Sequence, residues 1–401
     1  MLTSLAFIFL AGLLMAAVCK RLKLPGMIGM LITGIVLGPY VLDLLDPSIL
    51  SVSSDLRHMA LIIILLKAGL SLDLSDLKKV GRPAIMMSCV PASCEILAFF
   101  LLAPSLLGVT RIEAAVMGAV LAAVSPAVVV PRMVRFMDEK YGTKKSIPQL
   151  ILAGASCDDI FVIVLFSTFS GMAQGGHANV MGFVNIPVSI VLGIALGAAA
   201  GFVLSVFFET SYAHRHCVRN SVKVIIVLGV SFLLMAVETW LKGIVSVSGL
   251  LAVVSMACVI RIRCVPQVTA RLSEKFGKLW LAAEVILFVL VGAAVDIRYT
   301  LEAGIAAVAM IFAALIFRGI GVSLCLVKTS LSFKERLFCI IAYLPKATVQ
   351  AAIGSVPLAM GLPCGKIVLS VAVLAILITA PLGAIGIDSA YKKLLTHDEN
   401  G

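Results

Sequence analysis

Residues 147–171 read Ile-Pro-Gln-Leu-Ile-Leu-Ala-Gly-Ala-Ser-Cys-Asp-Asp-Ile-Phe-Val-Ile-Val-Leu-Phe-Ser-Thr-Phe-Ser-Gly. The stretch is long enough to cross a bilayer as a helix, which needs about 20 residues at 1.5 Å per residue. Its only charges are two adjacent acids, Asp158 and Asp159, near its midpoint. A charge at the centre of a bilayer costs at least about 2.5–3.5 kcal/mol on insertion scales, so such residues are candidates for function before structure.

The same reading applied outward gives thirteen apolar spans, at roughly 2–18, 26–43, 55–73, 83–105, 112–134, 147–171, 186–208, 221–239, 245–260, 278–295, 303–326, 334–360 and 366–386. The run at 2–18 has its basic residues after it (Lys20, Arg21, Lys23) and no small-residue cleavage site, so it reads as a retained helix and not a signal peptide. With the N-terminus outside and thirteen crossings, 24 of the 32 Lys and Arg fall on the inner side, in loops, at the inner ends of spans or in the C-terminal tail, and 5 fall on the outer side. Lys67, Arg318 and Lys346 lie within spans. This is the asymmetry of the positive-inside rule. It predicts an outer N-terminus and a cytoplasmic C-terminus, in what we expect to be a bacterial inner (plasma) membrane.

Composition agrees. The 401 residues are 61% hydrophobic and 13% charged, against roughly 25% charged in soluble domains. The net charge of +11 is explained by the inner loops, so no nucleic-acid partner is expected. Of ten cysteines, most sit in apolar runs (Cys89, Cys94, Cys157, Cys258, Cys325, Cys339), where the thiol behaves as a small hydrophobe. No Cys/His group has metal-ligand spacing, and no cofactor is expected beyond the transported ions. His214 and His216 flank a loop.

Four features point to a transport site. Glu95 is near the middle of the fourth span and Arg318 lies in the eleventh. The fifth span contains Val124-Ser125-Pro126-Ala127 and Pro131, and the twelfth contains Tyr343-Leu344-Pro345-Lys346-Ala347-Thr348. Proline removes a helix hydrogen bond. Unwound backbone at membrane depth survives where it is buried or lines a cavity, and paired interruptions in two halves mark transporter binding sites. Spans seven apart run in opposite directions, so spans 4–6 and 11–13 read as an inverted repeat. Broken helices crossing at the midplane expose roughly half a charge at each end. Pro126, Pro345, Lys346 and Thr348 are assigned to those breaks, with Ser125 and Thr348 also able to offer ligands. Glu95 and Arg318 hold equivalent positions and are expected to form a buried ion pair. Adjacent helical residues point about 100° apart, so Asp158 and Asp159 cannot share one face. Two carboxylates this close resist ionising together, which suits a site that exchanges a proton for a cation.

At Ser125-Pro126-Ala127-Val128-Val129-Val130-Pro131, Ser156-Cys157-Asp158-Asp159 and Leu344-Pro345-Lys346-Ala347-Thr348-Val349-Gln350-Ala351-Ala352, the chain resembles cation/proton antiporters of the NhaA/NapA type, and most the NHA sodium/proton exchanger branch. The resemblance implies an all-α polytopic membrane protein of about 13 helices, with inverted repeats and two crossed broken helices. It implies a homodimer with dimerisation segments at 1–75 and 172–298, a transport core at 76–171 and 299–388, a cytoplasmic tail at 389–401, and an elevator-like motion. It also implies that Asp159 is the principal ion and proton carrier, with Asp158 beside it. Electrogenic bacterial relatives carry Lys where this chain has Arg318. A guanidinium stays charged at any usable pH, and pairing with Glu95 would leave Asp158 without its usual lysine.

The function expected is exchange of Na⁺ or Li⁺ for H⁺, with Asp158, Asp159, Ser125, Ser156 and backbone carbonyls as oxygen ligands of the kind hard cations prefer. The alternative is sodium-coupled symport of an organic solute, for which the sequence shows no added polar cluster. An intramembrane aspartyl protease fits poorly, because its two acids must face each other from different helices.

Overall fold

The computed structural model describes residues 1–71, 81–174, 180–213, 219–241, 247–296 and 304–397. Among these the regular structure is helical, apart from a single antiparallel bridge between Tyr141 and His397. Nine helical segments in the described residues are long and apolar enough to cross a membrane. The helices are α1 (Leu2–Arg21), α2 (Gly26–Leu37), α3 (Pro47–Ser51), α4 (Ser53–Ser71), α5 (Arg82–Met87), α6 (Val90–Leu107), α7 (Arg111–Leu121), α8 (Pro126–Asp138), α9 (Ile147–Gln174), α10 (Val180–Ala213), α11 (Asn220–Leu241), α12 (Gly249–Arg263), α13 (Pro266–Ala293), α14 (Gly304–Cys325), α15 (Phe333–Ala342), α16 (Thr348–Gly354), α17 (Val356–Ala359) and α18 (Gly365–Leu394).

Several helix ends lie outside the hydropathy spans, as at Val180–Ala213 against 186–208 and Gly365–Leu394 against 366–386, and two limits have a clear local reason. The second helix stops at Leu37, six residues early, because Pro39 holds Gly38 in extended backbone (φ −71°, ψ 171°). The tenth begins at Pro266, twelve residues early. Its first turns carry Arg271, Glu274, Lys275 and Lys278, which hide a helix from hydropathy without disfavouring it.

The chain divides into two compact units. One comprises Met1–Arg57, Asp73–Val162 and Val285–Gly401, the other His58–Leu72 and Ile163–Glu284. In the second unit α10 packs on α12 along Gly193, Gly197 and Gly201. A Cβ at Gly197 would sit 2.1 Å from the Ala252 carbonyl oxygen. Small residues four apart allow such backbone approach where apolar burial gives no advantage over lipid.

In the first unit α6 packs on α14, and α18 packs on α15, α16 and α17. Glu95 and Arg318 lie on the first of these pairs. Both broken helices belong to this unit, and each begins with a capping box. Thr110 accepts from Glu113 N–H while the Glu113 carboxylate accepts from Thr110 N–H; Ser332 and Glu335 repeat the arrangement. The reciprocal bonds satisfy orphan donors of the first turn. Both helices then run about three turns before they break, α7 at Leu121 and α15 at Ala342.

Candidate ion-transport site

The backbone freed by the two breaks has to find partners, because an unpaired buried peptide group is costly. Each break supplies part of the answer to the other. Ser125 N–H donates to the Pro345 carbonyl at 2.8 Å. Val124 N–H donates to Asp158 Oδ2 at 2.8 Å. Lys346 N–H donates to Thr379 Oγ1 at 3.0 Å, and Ala347 N–H to Gln350 Oε1 at 2.8 Å. The carbonyls that end α7 are held by cationic or amide donors. Gln350 Nε2 reaches Ala123 O at 2.7 Å and Leu121 O at 3.3 Å; Arg318 Nη1 takes Ala122 O. The same guanidinium donates through Nε to Tyr343 O, at the end of α15, at 2.6 Å.

Arg318 also joins two acids. Nη1 is 2.9 Å from Glu95 Oε2 and Nη2 is 3.0 Å from Asp158 Oδ2. Lys346 Nζ donates to the same Glu95 oxygen at 2.7 Å. All four residues are at most 1% exposed. A planar fork with five N–H donors can serve four acceptors at once; an ammonium with three donors on one atom cannot reproduce that geometry.

The structure therefore brings Glu95 and Arg318 into contact, and it differs from the sequence reading in three respects. Asp158 is not left without a cation, because Arg318 serves both acids. Compensation of the helix breaks falls to Asp158, Arg318, Gln350 and Thr379, while the Lys346 side chain serves Glu95. The two prolines are not equivalent. Pro126 is the first residue of α8, where its missing N–H costs nothing; Pro345 lies within the second break against Gly383, where a Cβ would approach its ring to 2.2 Å. The counterpart of Pro126 is Thr348, buried at the first position of α16. Each lies sixteen residues after its capping residue, Thr110 or Ser332.

Glu95 and Asp158 balance Arg318 and Lys346, which leaves Asp159. It is 7% exposed, and among the described residues it forms no ion pair. Its Oδ1, Asp158 Oδ1 and Ser125 Oγ are buried without a hydrogen-bond partner. Buried polar atoms are nearly always satisfied. Carboxylate and hydroxyl oxygens left without a donor in this way are of the type that a small hard cation or a proton takes. The Leu121, Ala122 and Ala123 carbonyls each already accept one hydrogen bond, from Gln350 or Arg318. The Ser156 side chain lies outside the described residues.

Sequence reasoning missed Gln350 and Thr379. Gln350 was visible as an amide within an apolar run, two residues after Thr348. Gly154, one turn before Asp158, leaves room for Tyr343: a Cβ there would lie 2.0 Å from the phenol oxygen.

Known proteins match this architecture over nearly its whole length. The family model described as "Sodium/hydrogen exchanger, transmembrane" matches residues 5–392. Sodium/hydrogen exchanger 9B2 of Homo sapiens is 34% identical over 390 residues, covering 94% of this chain and 71% of that protein. Sodium/hydrogen exchanger 9B1 of Homo sapiens is 32% identical over 394 residues, covering 93% and 73%. The solved structure of the sodium proton antiporter MjNhaP1 from Methanocaldococcus jannaschii aligns with a TM-score of 0.81 at 22% identity, covering 98% of this chain and 99% of that one; at that identity the likeness speaks for the fold. The human relatives lend no support to a bacterial inner membrane. Family model and relatives agree that this multi-pass membrane chain belongs to the transmembrane sodium/hydrogen exchanger family, a family of cation/proton antiporters.

Proposed function

We propose that the chain exchanges Na⁺ or Li⁺ for H⁺, with cation and proton competing for Asp159. The observation that carries this reading is the unpaired, buried Asp159 beside an Asp158 already bonded to Arg318 and Val124 N–H. Asp158 Oδ1 and Ser125 Oγ complete the oxygen set; Ser156 is proposed with them on sequence grounds. A proton on Asp159 or a cation bound to it removes the one carboxylate charge left over in the cluster, so either cargo satisfies the site and both together do not.

We further propose thirteen crossings with the N-terminus outside and the C-terminus in the cytoplasm, from the Lys and Arg asymmetry. The transport core at 76–171 and 299–388 would move in an elevator-like manner against dimerisation segments at 1–75 and 172–298 of a homodimer, with 389–401 as a tail. Family membership leaves the organic-solute symporter without support.

Proteoliposomes with an imposed sodium gradient and a clamped membrane potential test the site. Asp159→Asn is expected to abolish sodium-driven proton flux, since Asn offers neither a titrating group nor a charge. Full flux in that variant would refute the assignment. Repeating the wild-type measurement with Li⁺ and K⁺ gives the selectivity, and its dependence on potential gives the stoichiometry.

A further inference from the structure

A groove of about 700 Å³ opens on the first unit, lined by none of the carboxylate-cluster residues. Its volume is in the range of small-ligand sites. Lys20 and Lys23 line it from the end of α1 and the turn that follows, Arg132 and Arg135 from α8, and Lys392 and Lys393 from α18. The acid among the lining residues is Asp388, which is already engaged. It accepts from Arg132 through Nε at 3.1 Å and Nη2 at 2.9 Å, and from Arg135 Nη2 at 3.3 Å. Arg132 Nη1 also donates to Val128 O at 2.8 Å, and Arg135 lies 5.2 Å from the Tyr391 ring centroid. Both guanidinium groups are thus held in place at the groove.

The lysines differ. Among the described residues Lys20, Lys23, Lys392 and Lys393 form no ion pair, whereas Lys145 is paired with Glu335 and Lys278 with Glu274. The positive-inside rule explains why each of these segments is basic. It does not explain why segments far apart in sequence line one concavity. Helix dipoles do not neutralise it either. Glu139 sits 3.5 Å from Arg135, and α1, α8 and α18 each bring a C-terminus worth about half a negative charge. Set against these and Asp388, the six cations leave the groove positive by roughly two to three charges.

We propose that this groove binds a phosphate-bearing anion. The four lysines bring the unpaired positive charge that phosphate oxygens take, while Arg132 and Arg135, engaged with Asp388, fix the wall beside them and add only their remaining N–H groups. Such a phosphate can come from the headgroup of an anionic phospholipid or from a soluble phosphate ester or polyphosphate.

The purified full chain, in micelles of neutral detergent with phosphatidylcholine, separates these sources. Its melting midpoint is followed during titration with phosphatidylglycerol in one arm and with inorganic pyrophosphate, at fixed ionic strength, in the other. Saturable stabilisation by phosphatidylglycerol alone identifies a headgroup site; saturable stabilisation by pyrophosphate identifies a soluble one. In either arm Lys392→Gln/Lys393→Gln should weaken binding roughly 25-fold, at about fivefold per lysine. Lys20→Gln/Lys23→Gln should do the same, which guards against a folding defect peculiar to one pair. Lys275→Gln/Lys278→Gln, of equal charge change outside the groove, should stay within about twofold of the parent protein. Absence of saturable stabilisation in both arms overturns the proposal, and so does equal weakening by the control pair.

Discussion

Removing Arg318 should be less damaging when Glu95 is removed with it. In the folded protein Arg318 bonds Glu95 and Asp158 and caps the Ala122 and Tyr343 carbonyls, all out of water. Arg318→Ala leaves Asp158 with Val124 N–H and Glu95 with Lys346, and strands two carbonyls. Breaking a buried ion pair from one side typically costs about 3–5 kcal/mol, and an orphaned buried polar group about 1–3 kcal/mol. Glu95→Ala leaves Lys346 and one Arg318 donor facing no carboxylate, for a cost again of about 3–5 kcal/mol. In the double variant the stranded charges of the singles are partly gone, and Lys346 is left to the remaining acids. The double variant should therefore cost at least about 2 kcal/mol less than the sum of the singles, within the range measured for directly bonded pairs. Equilibrium unfolding in a denaturing-detergent titration at constant lipid measures all four corners of the cycle. Additivity within about 0.5 kcal/mol would refute the contact between the two side chains.

Three further outcomes follow from the same geometry. Asp158→Asn should destabilise by about 2–4 kcal/mol, since its Oδ2 accepts from Arg318 and Val124; Asp159→Asn, which loses no described bond, should unfold at or above the parent denaturant midpoint. Gln350→Ala should cost about 2–4 kcal/mol by releasing Ala347 N–H and the Leu121 and Ala123 carbonyls, and Gln350→Glu should restore the first bond but not the donor to the carbonyls; wild-type stability in Gln350→Ala would refute the bonding of Gln350 to both breaks. Gly197→Leu should lower the thermal midpoint and the yield of folded protein, because the first side-chain carbon already collides with the Ala252 carbonyl oxygen; an unchanged midpoint would mean α10 and α12 do not pack through this face.

Much of the fold was legible because its signals are local. Apolar run length and the two proline-bearing breaks are properties of neighbouring residues, and a bilayer reads the first of them directly. The capping boxes Thr110–Glu113 and Ser332–Glu335 are equally local, and they would have shown that Thr348, not Pro345, corresponds to Pro126. The α13 start at Pro266 was hidden because charged residues on a helical turn lower hydropathy without opposing helix formation.

The sequence by itself determined that acids and cations are buried in a membrane bundle, since Glu95, Asp158, Asp159, Arg318 and Lys346 all fall in apolar runs and the cost of placing them there demands partners. Only the tertiary structure decided which partner each one has. Arg318 meets Glu95, Asp158, Ala122 and Tyr343 across sequence separations of 25 to 223 residues, a choice made by how α6, α9 and α14 pack around the two breaks. Hydropathy and charge act on each segment alone, whereas a hydrogen bond needs two atoms about 3 Å apart, and that distance exists only once the helices have crossed.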